Sequence, residues 1–325
     1  MELNLELLKI LQEKFPIESR PFLKIGEIVG LEEDEVIKEV SELQDKGIIR
    51  QISAIFHPEF FGHRTGLFAF RVEDALLDDA IKKINSHPGV THNYLRAHYY
   101  NIWFILATTP DVILEEEGKR LAEACGVKDY LYLPAKRIFK ISTKFDLTGG
   151  TAAEEALQLE TQKKRYSFSK KDELLVKLLQ EPLPILQKPF LELAKRSGIP
   201  EEEIFEWLVE MKKLRALRRF GALLKHDKIG FKYNLMVAWE VSPERIEEIA
   251  ESLCKYSFVS HCYERKTYPH WRYNLYSMCH FREKDESRVI FEIAEDLGIN
   301  KFICLPTIKE LKKARLKLFY ELNKN

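Results

Sequence analysis

The chain has 325 residues, 45% of them hydrophobic and 31% charged, and its 51 Lys and Arg equal its 51 Asp and Glu, for a formal net charge of zero. This is the composition of an ordinary globular chain long enough for about two domains or more. Zero net charge excludes a general electrostatic pull towards nucleic acid or a membrane surface, so any anionic ligand must be held by a local basic pocket.

In chain order, the opening MELNLELLKI lacks the basic start and small-residue cleavage site of a signal peptide, and no apolar run reaches the ~18 residues of a membrane span, which gives a cytoplasmic expectation. Residues 4–14 and 21–29 read as helices. A third helix over 32–46 has Val36, Ile37, Val40 and Leu43 at helical spacing, and Lys46-Gly47 closes it. A short β-wing from Ile48 to Phe56 completes a winged helix-turn-helix over 1–60. Strand 66–72, helix 75–86, strands 90–98 and 101–108, helix 110–125 and strand 128–133 follow, and this βαββαβ order predicts a ferredoxin-like sandwich over 61–147. TGGTAAEEALQLETQKKR, residues 148–165, reads as a linker.

The rest of the chain repeats the first half. PFLKIGEIVGLEEDEVIKEVSELQDKGIIRQISAIF from Pro21 aligns without a gap on PFLELAKRSGIPEEEIFEWLVEMKKLRALRRFGALL from Pro189. VTHNYLR from Val90 returns as VSHCYER from Val259, Tyr100-Asn101 as Tyr273-Asn274, and Leu133-Pro134 as Leu305-Pro306. The offset grows by about four between Arg96 and Tyr100, so the second copy has a short insertion, KTYPHWR. A second winged helix-turn-helix over 166–228 and a second sandwich over 229–325 follow. The predicted fold class is α+β, a tandem duplication forming an internal pseudo-dimer, with further homo-oligomerisation left open.

The five cysteines form no CxxC pair, so reduced, mostly buried thiols are expected and no metal site. The third helix starts Glu32, Glu33, Asp34, Glu35, and 31–46 sets seven acidic residues against two lysines. The second copy starts with Glu201, Glu202 and Glu203, then Glu206. A recognition helix puts its N-terminal residues among phosphates, where such charge is repelled, so scaffold helices and no nucleic-acid partner are expected.

Alternation along the strands puts His92, Tyr94, Arg96 and His98 on one face of copy one, and His261, Tyr263 and Arg265 on the matching face of copy two. The next strand adds Asn274, Tyr276, Met278 and His280. Such a stripe suits a wet, cationic cavity between sheets or a polar sheet-to-sheet contact, and the pattern leaves both open. His98 falls where copy two has its insertion, and Ala107 stands in copy one where copy two has His280, so a composite site with unequal halves is expected. Arg50, with Arg218 and Arg219 at the matching place, offers planar forks for carboxylates; His63, Arg64, Arg137 and Arg272 are further candidates.

The architecture resembles the Lrp/AsnC regulators. More closely, GIIRQISAIF, HPGVTHNYLRAHYYNIWF and LPAKRIFKISTKFD resemble one subunit of the siroheme decarboxylases, and RRFGALLKH, FVSHCYERKTYPHWRYNLYSMCH and LPTIKELKK resemble the other. The resemblance implies loss of carbon dioxide from two acetate side chains of siroheme, on rings C and D, giving didecarboxysiroheme for haem or d-type haem synthesis. It implies no cofactor, with iron arriving in the tetrapyrrole substrate. It points to His98 and His280 as catalytic, while the stripes and the basic cluster supply the candidate substrate-binding residues Arg50, His92, Tyr94, Arg96, Arg218, Arg219, His261, Tyr263, Arg265 and Tyr276. His270 and Arg272 depart from the acidic residue and proline expected in that loop. A DNA-binding regulator and a tetrapyrrole carrier with an axial histidine are the alternatives.

Overall fold

The computed structural model describes residues 4–141, 144–145, 151–152, 168–224 and 233–321. Copy one opens with α1 (Leu5–Glu13), α2 (Pro21–Val29), α3 (Glu33–Asp45) and β1 (Ile49–Phe56). It continues with β2 (Arg64–Phe70), α4 (Leu77–Ser86), β3 (Val90–Arg96), β4 (Ile102–Thr108), α5 (Leu114–Ala124), β5 (Tyr130–Leu133) and β6 (Ala135–Ile141). Two short strands, β7 (Lys144–Phe145) and β8 (Thr151–Ala152), pair antiparallel; the rest of the predicted linker lies outside the described residues. Copy two repeats the series as α6 (Lys170–Leu179), α7 (Pro189–Ser197), α8 (Glu201–Lys213), β9 (Leu217–Leu224), β10 (Tyr233–Trp239), α9 (Ile246–Cys254), β11 (Val259–Arg265), β12 (Leu275–Phe281), α10 (Val289–Asp296) and β13 (Phe302–Lys313). No helix among the described residues is long and apolar enough to cross a membrane.

The repeat carries its own punctuation. Pro21 and Pro189 each sit in the first turn of their helix, where a missing N–H costs nothing, and Gly30 and Gly198 end those helices in the left-handed conformation that glycine adopts freely. Both helix-turn-helix copies fall in one compact unit, residues 1–63, 166–228 and 317–319. The strand expected as the wing, Ile48 to Phe56, forms β1, and it pairs antiparallel with β9 of the other copy, from Ile49↔Leu224 to Phe56↔Leu217. At Gly221 a Cβ would lie 2.6 Å from the Leu11 carbonyl, so only glycine lets α1 cross this ribbon. Ser19 donates to Glu201 (3.1 Å), and Gln187, at the matching place, donates to Asp34 (3.0 Å). The acidic first turns of α3 and α8 are thus tied to the opposite copy.

The second unit holds both αβ domains, residues 64–165, 229–316 and 320–325. Its strands run β5-β2-β4-β3-β13-β10-β12-β11-β6, all antiparallel. The ends of this series, β5 and β6, are consecutive in sequence, so the sheet returns on itself. The Leu-Pro repeats mark the exchanges. Leu133 pairs with Leu67 of its own copy, and after Pro134 the strand passes to β11 of the other. β13 pairs with β10 as far as Pro306, then with β3 from Thr307↔Arg96. Proline lacks the N–H a ladder needs and breaks it where the partner changes.

Two cores lie on the helix side of these strands. One is built on Phe68, Phe70, Ile102 and Phe104, the other on Val237, Trp239, Leu275 and Cys279. A third joins the copies across the opposite face: Leu67, Ala69, Trp103 and Leu131 pack with Met236, Ala238, Tyr276 and Leu305. All five cysteines are free thiols, three of them buried.

Candidate active site

The inner face that joins the copies also carries the polar stripes. His92 stands opposite Ile105 and Tyr94 opposite Trp103 in the β3–β4 ladder, while Asn93 is opposite Phe104 of the helix-side core. His261 and Tyr263 likewise stand opposite Met278 and Tyr276. The imidazoles stack on the tyrosines, with ring centroids 6.3 Å apart for His92–Tyr94 and 6.0 Å for His261–Tyr263.

Arg96 and Arg265 end these stripes and are buried. Arg96 donates to the Leu305 carbonyl and to Thr307 Oγ1 (3.2 Å), and Arg265 to the Leu133 carbonyl (2.7 Å). Each arginine therefore braces the strand exchange of the opposite copy. Each also lies over aromatic rings: Arg96 5.2 Å from the Tyr94 centroid, Arg265 4.6 Å from Tyr263 and 5.6 Å from Tyr276. Neither has a carboxylate partner among the described residues, and the Nε of each is buried without a hydrogen bond. Burial lowers the pKa of Arg96 to about 10 and lowers that of Arg265. Tyr94 is pushed up to about 12 by burial, and Tyr276 is raised by burial, so both phenols stay neutral.

His98 is not on the strand: β3 ends at Arg96, and His98 lies in the turn to β4. Its Nδ1 accepts the Tyr100 N–H (3.1 Å), leaving Nε2 as the nitrogen that carries the proton. The ring stacks on Tyr100 and meets Trp271 edge-on at 5.5 Å, and burial lowers its pKa. Trp271 comes from the KTYPHWR insertion, which folds as a tight turn through a Tyr268↔Trp271 bridge. Its indole N–H donates to the Tyr276 hydroxyl (2.6 Å). Around His98 a cleft of about 600 Å³ is lined by Tyr99, Tyr100, Asp129, His270, Trp271 and Tyr273.

His280 lines a different cleft, of about 400 Å³, with Ser257, Phe258, Phe281, Arg282, Glu286 and Val289. It shares the face of β12 with Met278 and Tyr276 and lies opposite Asn234 in β10. His280 is four residues beyond Tyr276, about 13 Å along an extended strand. The structure thus sets His98 towards one end of the inner face and His280 towards the other.

Asn274, expected on the stripe, precedes β12 and bonds the backbone N–H (2.9 Å) and carbonyl (2.7 Å) of Val241, as Asn101 does with Val72. The repeated Tyr-Asn pair therefore pins strand ends. Arg50, Arg218 and Arg219 belong to the helix-turn-helix unit, where Arg50 is exposed and Arg219 donates to the Gln12 carbonyl (3.2 Å). Arg137 pairs with Glu264 and Arg272 with Glu240, Arg64 is exposed, and His63 accepts the Phe319 N–H. Sequence reasoning missed Trp271, Trp103, Ser260 and Asn234. The insertion was a signal for the first, but a ladder register was needed for the others.

A duplicated helix-turn-helix and αβ module, with inner faces lined by histidine, tyrosine and arginine, defines a protein of AsnC-like architecture. The AsnC-like ligand binding domain matches residues 60–140 and 228–312, and the siroheme decarboxylase NirDL-like HTH domain matches 5–50 and 172–218. The chain is 36% identical over 319 residues to the siroheme decarboxylase of Hydrogenobacter thermophilus, covering 97% of this chain and 95% of that protein. It is 37% identical over 152 residues to the siroheme decarboxylase beta subunit of Methanosarcina barkeri, covering 46% of this chain and all of that one. The crystal structure of the siroheme decarboxylase NirDL in complex with an iron-uroporphyrin III analogue superposes with a TM-score of 0.79 at 32% identity, over 97% of this chain and 94% of that one. The chain belongs to the siroheme decarboxylase family.

Proposed function

We propose that this chain decarboxylates siroheme, removing carbon dioxide from the acetate side chains of rings C and D to give didecarboxysiroheme for haem or d-type haem synthesis. The observation that carries the reading is the pair of buried arginines without carboxylate partners among the described residues, one from each copy, beside neutral tyrosines on one inner face. A buried cation without an anion is costly, and a polycarboxylate ligand supplies the anions. Family membership and the relative's complex with an iron-uroporphyrin III analogue support the same class of ligand.

Cleavage of the carbon–carbon bond leaves an electron pair on the methylene carbon, and a proton must reach that carbon to make the methyl group. His98 and His280 are our assignment for proton supply, since imidazole exchanges protons near neutral pH. Their separation along the inner face suits one macrocycle presenting acetates on different rings to different histidines. Arg96 and Arg265, with Tyr94, Tyr263, Tyr276 and His92, orient the remaining carboxylates, His261 stands beside them on the same face, and positioning supplies part of the rate. No added cofactor takes part in this reading; iron enters with the substrate.

Anaerobic incubation with siroheme, followed by mass analysis, tests it. Two successive losses of carbon dioxide are expected without added metal, nucleotide or oxidant, and unchanged mass with a folded preparation sinks the proposal. The regulator alternative is disfavoured by the tied, acidic starts of α3 and α8.

A further inference from the structure

A β-bulge opens β11. Register passes from Val259↔Cys279 to His261↔Met278, so Ser260 is the extra residue. Such a bulge re-aims side chains that strict alternation would send to opposite faces. The buried Ser260 Oγ lies 2.7 Å from His261 Nδ1, 2.8 Å from His280 Nε2 and 3.2 Å from the Met278 carbonyl. On the far side of His280, Nδ1 is 2.7 Å from Asn234 Oδ1. His280 lines the cleft that it shares with Arg282 and Glu286, while His261 stands on the inner face beside Tyr263. Copy one has the same bulge and the same hydroxyl–imidazole pair, Thr91 Oγ1 with His92 Nδ1 at 3.0 Å. There Ala107 stands in place of the second histidine.

We propose that Asn234, His280, Ser260 and His261 form a proton relay, in which Ser260 is the positioning residue linking the His280 cleft to the inner face. The inference rests on the decarboxylase reading, because each carbon dioxide released from a carboxylate consumes one proton. Asn234 accepts the Nδ1–H of doubly protonated His280, which donates its Nε2 proton to Ser260 Oγ. Ser260 passes its own proton to His261 Nδ1. His261 Nε2 then gives up its proton to the methylene carbon, which holds the electron pair of the broken carbon–carbon bond. One proton enters at His280 and one ends in the product's methyl group, and His261 changes only its tautomer. No oxidant or reductant is needed.

The test is anaerobic turnover of siroheme by the full chain in H₂O and D₂O, comparing wild type with Ser260→Ala, Ser260→Thr and Asn234→Ala. S260A is expected to lower kcat by about 10- to 100-fold, with KM within about twofold and a larger solvent isotope effect, because proton supply becomes limiting. S260T restores the hydroxyl in the form copy one already uses and should recover most of kcat. N234A should act in the same direction as S260A, but less. Should S260A lose the wild-type melting transition, S260T and N234A carry the same comparison. A wild type that releases no carbon dioxide overturns the decarboxylase reading and the relay with it. A wild type that turns over beside an unimpaired S260A, or a well-folded S260T as slow as S260A, overturns the relay alone.

Discussion

Removing either imidazole proposed to supply protons should separate chemistry from binding. His98→Ala and His280→Ala are each expected to reduce turnover by about 10²–10⁴-fold with siroheme affinity largely kept, the range of a lost general acid. Because the two lie in different clefts, one variant should accumulate a singly decarboxylated product, which a chromatographic time course resolves. Near-normal rates in both variants would move the assignment to His92 and His261. The arginines behave differently. Arg96→Ala and Arg265→Ala would remove the proposed carboxylate clamp and also a hydrogen bond to a buried carbonyl at a strand exchange. Both should weaken siroheme binding and lower the melting temperature, the lost hydrogen bond from a charged donor alone costing about 1.5–3 kcal/mol. Thermal melts beside binding titrations check this, and weakened binding with an unchanged melt would mean that the brace carries no stability.

Between α4 and α5 lies a buried acid–base pair whose titration should make the αβ unit acid-sensitive. His87 Nδ1 accepts the Gly89 N–H (3.0 Å) and its Nε2–H donates to Glu117 (2.8 Å), so the ring is held neutral, and burial lowers its pKa despite the carboxylate. Burial would raise Glu117, but donors from Arg120 and His87 more than offset this, and its carboxyl titrates below the usual value. For a lowered histidine the unfolded chain binds the proton first. Stability therefore falls as pH drops from about 6.5 towards the folded value, and His98 adds to the same step. For the lowered carboxylate, stability is present above about 4.5 and is lost as pH falls through its folded pKa. Melting temperature against pH should show both steps. The upper one should shrink in His87→Gln, which keeps a donor for Glu117 but cannot be protonated; an unchanged upper step would remove His87 from the account.

Neither half of the molecule can complete its own sheets. Copy one alone leaves the edge of β3 away from β4 open without residues 307–313, and leaves β1 without β9, while copy two needs β6 beside β11. Unpaired strand edges are sticky, so residues 1–147 and 166–325 expressed alone should self-associate or aggregate, and co-expression should restore a soluble, active pair. Size-exclusion chromatography with a turnover assay decides it. A monomeric half with full turnover would falsify the composite inner face.

The duplication, the helix-turn-helix and βαββαβ order, and the acidic starts of α3 and α8 were legible from residues alone. They rest on local periodicity, capping and aligned repeats, which short stretches of chain encode. The stripe of His92, Tyr94 and Arg96 was legible for the same reason, since alternation assigns a face without naming what lies opposite. The partner was another matter. The strand expected as a wing pairs with the other copy, and Leu133-Pro134 and Leu305-Pro306, visible as a repeat, acquire meaning only as strand exchanges. The positions of His98 in a turn, of Asn101 and Asn274 as backbone pins, and of Ser260 between two histidines depend on where strands end and where a bulge shifts register. Those are set by non-local hydrogen-bond ladders between residues far apart in the chain, and no local pattern encodes them.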